Sequence, residues 1–157
     1  MKLTTTHVEM WSVEITDEVG GLARALRAIA DFGADLDYVM AQRQSDKAGK
    51  GILFVSSPGN RVQLDRVTDL GLRRVNDRPM LKIEGNDAPG MGARLARAIA
   101  NAGVTIKSFT GGATGHGFVC FVGFDTAQDL DKVDTAIQAL NTHPAWAFWH
   151  RHTHKAA

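Results

Sequence analysis

The chain has 157 residues, with 18 Lys and Arg against 17 Asp and Glu, which gives a formal net charge of +1. A non-specific nucleic-acid binder needs a surplus of cations to displace counterions, so this balance argues against that class. Charged residues make up 22% and hydrophobic residues 44% of the sequence, which is typical of a globular chain rather than a disordered one.

The first half predicts the order strand, helix, strand, strand, helix, strand. Apolar and polar residues alternate over 11–16, which predicts a half-buried strand. After two glycines, apolar residues recur at helical spacing until Gly33, where the helix is predicted to end. The remaining predicted elements are strands at 36–40 and 52–55, a helix at 61–70 and a short strand at 72–75.

The second half repeats this order. Its predicted elements are a strand at 81–83, a helix at 91–102, strands at 104–110 and 118–124, a helix at 127–140 and a strand at 145–150. Four glycines between 111 and 117 predict a flexible hairpin. We therefore predict an α+β fold of two ferredoxin-like βαββαβ units, residues 1–76 and 77–157, each an antiparallel sheet with helices on one face.

The elements repeat because the sequence itself repeats. A shift of 70 residues aligns Asp17 with Asp87, Gly20 with Gly90 and Gly33 with Gly103. Further along, a shift of 66 aligns Gly51 with Gly117, which indicates one deletion between the second and third elements. Chance matching of alanine-rich helices would not place Asp and Gly outside the helices in register, so we interpret the pattern as an internal duplication.

Several function classes are disfavoured by what the sequence lacks. Residues 1–7 contain no apolar stretch of a signal peptide, and no run reaches the roughly 20 apolar residues of a membrane span. Cys120 is the only cysteine, which excludes an intrachain disulfide. No spacing typical of catalytic or metal-ligating residues stands out. We expect a cytoplasmic protein that is not an enzyme and that has no cofactor, no metal and no membrane contact.

The loop before each first helix carries a recognisable motif. Asp87-Ala88-Pro89-Gly90, followed after the helix by Ala102-Gly103-Val104-Thr105-Ile106, resembles the signature of the ACT domain, a ligand-binding regulatory module of amino-acid metabolism. The first half departs from it, because Asp17-Glu18-Val19-Gly20 lacks the proline. The resemblance covers both halves and leaves no room for a catalytic domain. It implies a tandem ACT protein that senses a free amino acid.

The resemblance also implies a ligand held between two ACT units. The positions that correspond to its binding loop and to the second residue after the helix-ending glycine are Asn86, Asp87, Ala88, Pro89, Gly90, Met91, Gly92 and Thr105, with Asp17, Gly20, Gly21 and Asp35 in the first half. A helix N-terminus can bind the ligand's carboxylate, and an Asp can accept hydrogen bonds from its ammonium group. The alternative is that both Asp residues only cap their helices.

The implied partners are a small-molecule ligand, a second copy of the chain and a regulated protein. Short helix faces and an aromatic cluster at 146–149 favour a homodimer, unless those aromatic residues close the intramolecular core. The two loops are not expected to bind equally. Pro89 preorganises the second loop, whereas Glu18 adds a negative charge to the first, so we predict tighter binding at the second.

A rival interpretation uses the same topology. The RNA-recognition motif is also βαββαβ, and residues 115–121, Gly-His-Gly-Phe-Val-Cys-Phe, are similar to its third strand. However, Thr114 replaces the leading basic residue, and Lys82 stands where the first strand requires an aromatic side chain. Stacking platforms need more than one aromatic residue, so the sequence favours an amino-acid ligand over RNA.

Overall fold

A computed structural model describes residues 2–56 and 68–142. These residues form two units. The first unit consists of residues 9–56 and 68–76, and the second unit of residues 2–8 and 77–142. The elements are β1 (Thr4–Val8), β2 (Trp11–Thr16), α1 (Gly21–Asp31), β3 (Tyr38–Arg43), β4 (Lys50–Ser56), a 3₁₀ turn (Thr68–Leu70), β5 (Arg73–Arg74), β6 (Met80–Asn86), α2 (Met91–Asn101), β7 (Ser108–Thr114), β8 (Gly117–Gly123) and α3 (Ala127–Thr142).

The first unit is an antiparallel sheet in the order β3-β4-β2-β5, with α1 packed on one face. The alternation in β2 places Trp11 in the core, with Val13 and Ile15 packed against it. Ile29 of α1 and Leu53 of β4 complete the contact between helix and sheet. Burial of each such side chain stabilises the fold by about 1.5–3 kcal/mol, so the apolar stripe of α1 fixes which face of the sheet it covers.

The second unit is an antiparallel sheet in the order β1-β6-β8-β7 with α2 and α3. Its larger core includes Ile83 of β6, Val122 of β8, Ile99 of α2 and Ile137 of α3, all 0% exposed. Both sheets therefore confirm the predicted α+β class. None of the helices within 2–56 and 68–142 has the length and apolar character needed to cross a membrane.

The N-terminal strand β1 was not predicted. It pairs antiparallel with β6, from Thr4 opposite Glu84 to Val8 opposite Met80. The sequence assigned the last strand of this unit to residues 145–150, which lie outside the described residues. The chain passes from the first unit to the second between residues 76 and 77, and residues 2–8 belong to the second unit.

Polar contacts explain why β1 belongs there. Asn141 of α3 bonds both the N–H and the carbonyl of Leu3, at 2.7 and 2.9 Å. Asp134 of α3 accepts a 2.6 Å hydrogen bond from the Thr5 hydroxyl, and its other oxygen lies 3.1 Å from Nε2 of His7. Burial raises the pKa of Asp134, but the hydrogen bonds that it accepts outweigh burial, and the net effect lowers that pKa. These contacts hold β1 against α3.

The duplication is visible in the backbone. Left-handed glycines recur in pairs, Gly20 and Gly90 at φ +83° and +81°, Gly33 and Gly103 at +74° and +72°, and Gly49 and Gly115 at +71° and +61°. The first two pairs are 70 residues apart and the third 66, as the sequence alignment requires. A positive φ is readily adopted only by glycine, which explains why these positions match between the halves.

Two strands begin later than predicted. β3 starts at Tyr38 and β7 at Ser108, because their partner strands end opposite them at Ser56 and Gly123. Val104 is 8% exposed, so this residue packs in the core although it lies outside strand β7. Of the helix predicted at 61–70, residues 68–70 form a 3₁₀ turn and the rest lies outside the described residues.

Candidate ligand-binding site

Two loops connect a central strand to the following helix, residues 17–21 (the first loop) and residues 87–92 (the second loop). In both, glycine is the N-cap residue, with φ, ψ of +83°, −2° at Gly20 and +81°, +10° at Gly90. In both, the N–H of the first helical residue donates to the carbonyl three residues earlier, at 3.0 and 3.1 Å. The two loops therefore share their N-cap conformation and this turn hydrogen bond. They differ in their side chains and in their approach to the preceding strand, because the N–H of Glu18 donates to the carbonyl of Thr16, whereas within the described residues Ala88 has no such bond.

Neither predicted Asp caps its helix. The N-cap residues are glycines, without a side-chain cap. The backbone N–H of Asp17 donates to the carbonyl of Gly49 at 3.0 Å, and that of Asp87 donates to the carbonyl of His116 at 2.7 Å. Each Asp is thus fixed to the neighbouring hairpin, and its carboxylate is left available for another partner.

The acidic side chains of the first loop form ion pairs within the first unit. The carboxylate of Asp17 is 3.0 Å from Nε of Arg43 on β3, and Glu18 forms an ion pair with Arg24 of α1. Arg24 folds back over the loop, so that its Nη1 lies 3.5 Å from the position that a Cβ on Gly20 would occupy. A guanidinium group therefore lies close to the N-cap residue of α1. Glu18, whose charge was expected to repel a ligand, is paired with Arg24, and the guanidinium group of Arg24 already has a carboxylate partner.

A cleft of about 180 Å³ adjoins the first loop. Leu22 lies on one side of it, and Gln42 and Arg43 of β3 lie on the other. The sequence interpretation missed both β3 residues, because Arg43 is 26 residues from its partner Asp17 and only the sheet brings them together. A second cavity, of about 220 Å³, is lined by residues of β2 and α1 together with Leu70 and Leu72, and we assign no site to it.

The hairpin after β3 carries a further charge cluster. Glu14 of β2 is 2.9 Å from Nζ of Lys50 and 3.3 Å from Nζ of Lys47. Hydrogen bonds from Lys50 and then Lys47 lower the pKa of Glu14. Glu14, Asp17 and Glu18 are thus each paired with a cation of the same unit.

The second loop is open. Ala88 replaces Glu18, and Thr114 stands at the strand position of Arg43. Within the described residues, the carboxylate of Asp87 and the guanidinium of Arg94 have no side-chain partner.

The helix end behind this loop is also uncovered. A Cβ added at Gly90 or at Gly92 would meet no atom within 4 Å. In the part of the chain that the structure describes, the N–H groups of Gly92 and Ala93 meet no acceptor, as is usual in the first turn of a helix. Within the described residues, the second loop and the first turn of α2 therefore carry N–H groups, a carboxylate and a guanidinium group that have no partner.

Comparison with known proteins identifies the fold. No protein-family model and no curated protein matches the sequence. Among solved structures, protein BT0572 from Bacteroides thetaiotaomicron matches 87% of this chain and 90% of its own, at a TM-score of 0.71 and 14% identity. The regulatory subunit of aspartate kinase from Thermus thermophilus matches 88% of this chain and 97% of its own, at a TM-score of 0.57 and 16% sequence identity. The chain has the fold of a tandem ACT-domain protein.

A third similar structure is much longer. Aspartate kinase from Clostridium acetobutylicum, described as an allosteric enzyme, matches 87% of this chain but 33% of its own, at a TM-score of 0.57 and 13% identity. This tandem ACT fold therefore corresponds in size to one third of that enzyme and to nearly all of the Thermus regulatory subunit.

Within each ACT unit, not all predicted site residues come together. Asp35 and Thr105 are exposed but follow the C-terminal ends of α1 and α2. Each helix has 11 residues and is therefore about 16 Å long, so these two residues lie far from the loop of their own unit. Their part in a ligand site between ACT units stays a prediction.

The predicted site residues of the second loop differ in how far they are exposed to a ligand. Asn86, Pro89 and Gly90 are exposed, as is Asp87. The side chain of Met91 is 5% exposed and belongs to the core, so only its backbone is available to a ligand. Gly21, which occupies the same place in the first loop, is buried, and a Cβ there would lie 2.2 Å from the carbonyl oxygen of Thr16. Its role is therefore structural packing.

The cysteine thiol and the aromatic residue of the RNA-recognition-like motif are both buried. Burial raises the pKa of Cys120 to about 11, so its thiol stays protonated at neutral pH. Phe118, the aromatic residue of the RNA-recognition-like motif, is 8% exposed and belongs to the core that α2 and α3 cover. It is therefore absent from an open stacking surface. The described residues contain no group of three metal-ligating side chains.

Proposed function

We propose that this chain is a non-catalytic regulatory protein that binds a free amino acid at the loop between the first strand and first helix of its ACT units. The second loop is the tighter site. The single observation that carries the proposal is the open N-terminus of α2, flanked by Asp87 and Arg94 without side-chain partners in the described residues.

The chemistry of this loop matches both charged groups of an amino acid. The N–H groups at the start of α2 and the positive end of its dipole attract a carboxylate, and the guanidinium of Arg94 adds a charge-assisted donor. Asp87 accepts hydrogen bonds from the ligand's ammonium group. Gly90 and Gly92 let the ligand approach the backbone, because neither position has a side chain and nothing else fills that space.

The similar structures support a regulatory role. One is a regulatory subunit of aspartate kinase, and another is an aspartate kinase described as allosteric and important for amino acid production. By analogy, this chain reports the concentration of its ligand to a protein partner. A homodimer and a cytoplasmic location are parts of the same proposal.

A ligand screen tests the proposal directly. The 20 amino acids are added one at a time and the melting temperature is followed, because a ligand that binds only the folded state raises it. Single-stranded RNA at physiological salt is the parallel arm. A shift with RNA and with no amino acid would replace the proposal by its rival.

The amino acid that raises the melting temperature most is then titrated calorimetrically. Asp87→Ala and Arg94→Ala should each weaken binding, while Arg97→Ala, one turn further along α2, is the matched control for loss of a charge. If Asp17→Ala removed the tighter site and Asp87→Ala spared it, the order of the two loops would be reversed. Light scattering with and without this amino acid tests the homodimer.

A further inference from the structure

The two loops differ most in what lies over the helix N-terminus. In the first unit, Arg24 reaches back toward Gly20 and pairs with Glu18, six residues earlier in the chain. In the second unit the equivalent arginine, Arg94, has no carboxylate at the position of Glu18 to reach for. The N-cap glycine has the same conformation in both loops, and the carboxylate of Glu18, which Ala88 lacks, is the group that pairs with this arginine in the first loop.

The Glu18 carboxylate has the chemistry of the ligand group proposed for the second loop. It is a carboxylate in the loop before α1, bound by Arg24 of the first helical turn, and within the described residues it makes no capping hydrogen bond to α1 itself. The cleft of about 180 Å³ that adjoins it is lined by Glu18 itself, with Asp17 and Arg43 paired at the same place. The first unit thus has a cleft and ligand-type contacts, and its own chain already makes those contacts.

We propose that Glu18 acts as an internal competitor for the ligand carboxylate and thereby sets the affinity of the first loop. This inference rests on the proposed function and explains how a duplicated chain comes to have unequal sites. Because Glu18 is attached to the loop, it is present at an effective concentration of millimolar order, and a free amino acid must displace it. The first loop therefore responds at higher ligand concentrations than the second.

The size of the effect follows from the exposure of the pair. The Arg24 and Glu18 side chains are 61% and 53% exposed, so the pair is weak and the competition is moderate. Removing Glu18 should lower the dissociation constant of the first loop by up to about fivefold, as expected for loss of an exposed ion pair. Because the two loops bind over distinct but overlapping ranges of ligand concentration, the chain responds over a wider range than either loop alone.

Reciprocal substitutions test the inference with free glycine, the smallest molecule that has both charged groups. Amide NMR shifts of residues 20–22 report the first loop and those of residues 90–92 report the second, each titrated against a sodium chloride control. Glu18→Ala gives the first loop the residue found in the second, and Glu18→Gln removes the charge at nearly constant size. Ala88→Glu introduces the competitor into the second loop, with Ala88→Gln as its control.

We expect Glu18→Ala and Glu18→Gln to tighten glycine binding at residues 20–22 severalfold. Ala88→Glu, but not Ala88→Gln, should weaken it at residues 90–92. If the second loop binds glycine and the Glu18 variants leave the first loop unchanged, the inference is wrong and the proposed function stands. If the first loop binds only after Glu18 is removed and the second never binds, the competitor stands and the proposed ligand loop is wrong. Absence of binding in every variant contradicts both.

Discussion

Two adjacent glycines on the edge strand β7 are predicted to respond to alanine with opposite signs. A Cβ at Gly111 would lie 2.8 Å from the Cβ of Cys120 and 3.0 Å from the carbonyl oxygen of Val119 on β8. A Cβ at Gly112 would meet nothing within 4 Å. The two positions share a strand, and each is exposed, so they differ in the space available for one methyl group.

The magnitudes follow from two opposing effects. Replacing glycine by alanine in a regular element stabilises the fold by roughly 0.5–1 kcal/mol, because the unfolded chain loses freedom. Forcing an extra methyl group against a packed strand costs about 1–3 kcal/mol. Gly111→Ala should therefore lower the free energy of unfolding by about 1–2 kcal/mol, and Gly112→Ala should raise it by about 0.5–1 kcal/mol.

Urea unfolding of both variants measures the difference, expected at about 1.5–3 kcal/mol. The slope of the transition should stay at its wild-type value, because neither change alters the surface exposed on unfolding. Equal midpoints for the two variants would refute the reasoning, since the space around each Cβ would then have no influence on stability.

Three further predictions concern the loop glycine, the β1 contact and the thiol. Gly90→Ala should lower the free energy of unfolding in urea by about 1–2 kcal/mol, because φ is +81° there. Gly92→Ala should raise it by about 0.5–1 kcal/mol, because Gly92 lies within α2 and a Cβ there meets no atom within 4 Å. The pKa of Asp134 is lower in the folded than in the unfolded protein, so its ionised carboxylate stabilises the fold above the ordinary carboxyl pKa, and this stabilisation is lost as the pH falls through the folded-state pKa. Asp134→Asn should therefore lose less stability than the wild type between pH 7 and pH 3. A thiol reagent at pH 8 should modify Cys120 only in denaturant, and rapid reaction of the native protein would contradict its burial.

Much of the fold could be predicted from the sequence because it depends on local periodicity and on repetition. The shift of 70 residues located both loops, and the left-handed glycines placed the helix ends. The role of β1 could not be predicted, because residues 4–8 are polar and their partner, β6, begins more than 70 residues later. The glycine-rich hairpin was only partly correct, since Gly111 and Gly112 are strand residues and the turn lies at 115–116.

The candidate site was predicted as a location but not as a set of interactions. Glu18 was expected to repel a ligand carboxylate, whereas the structure pairs it with Arg24. Six residues separate these two, which is not the spacing of neighbours on a helix face, so no simple rule finds the pair. The pairing of Asp17 with Arg43 depends on the strand order of the sheet and is equally invisible to periodicity.

The pairing of β1 with β6 makes the first unit an insertion within a hairpin of the second. Val8 lies opposite Met80, so the chain leaves the second unit and re-enters it at nearly the same place. During synthesis, every described strand of the first unit emerges before β6 exists, and that unit can fold while β1 waits unpaired. β1 reads Thr-Thr-Thr-His-Val, with a single strongly apolar residue at its end, so it exposes little hydrophobic surface until its partner strand has been synthesised.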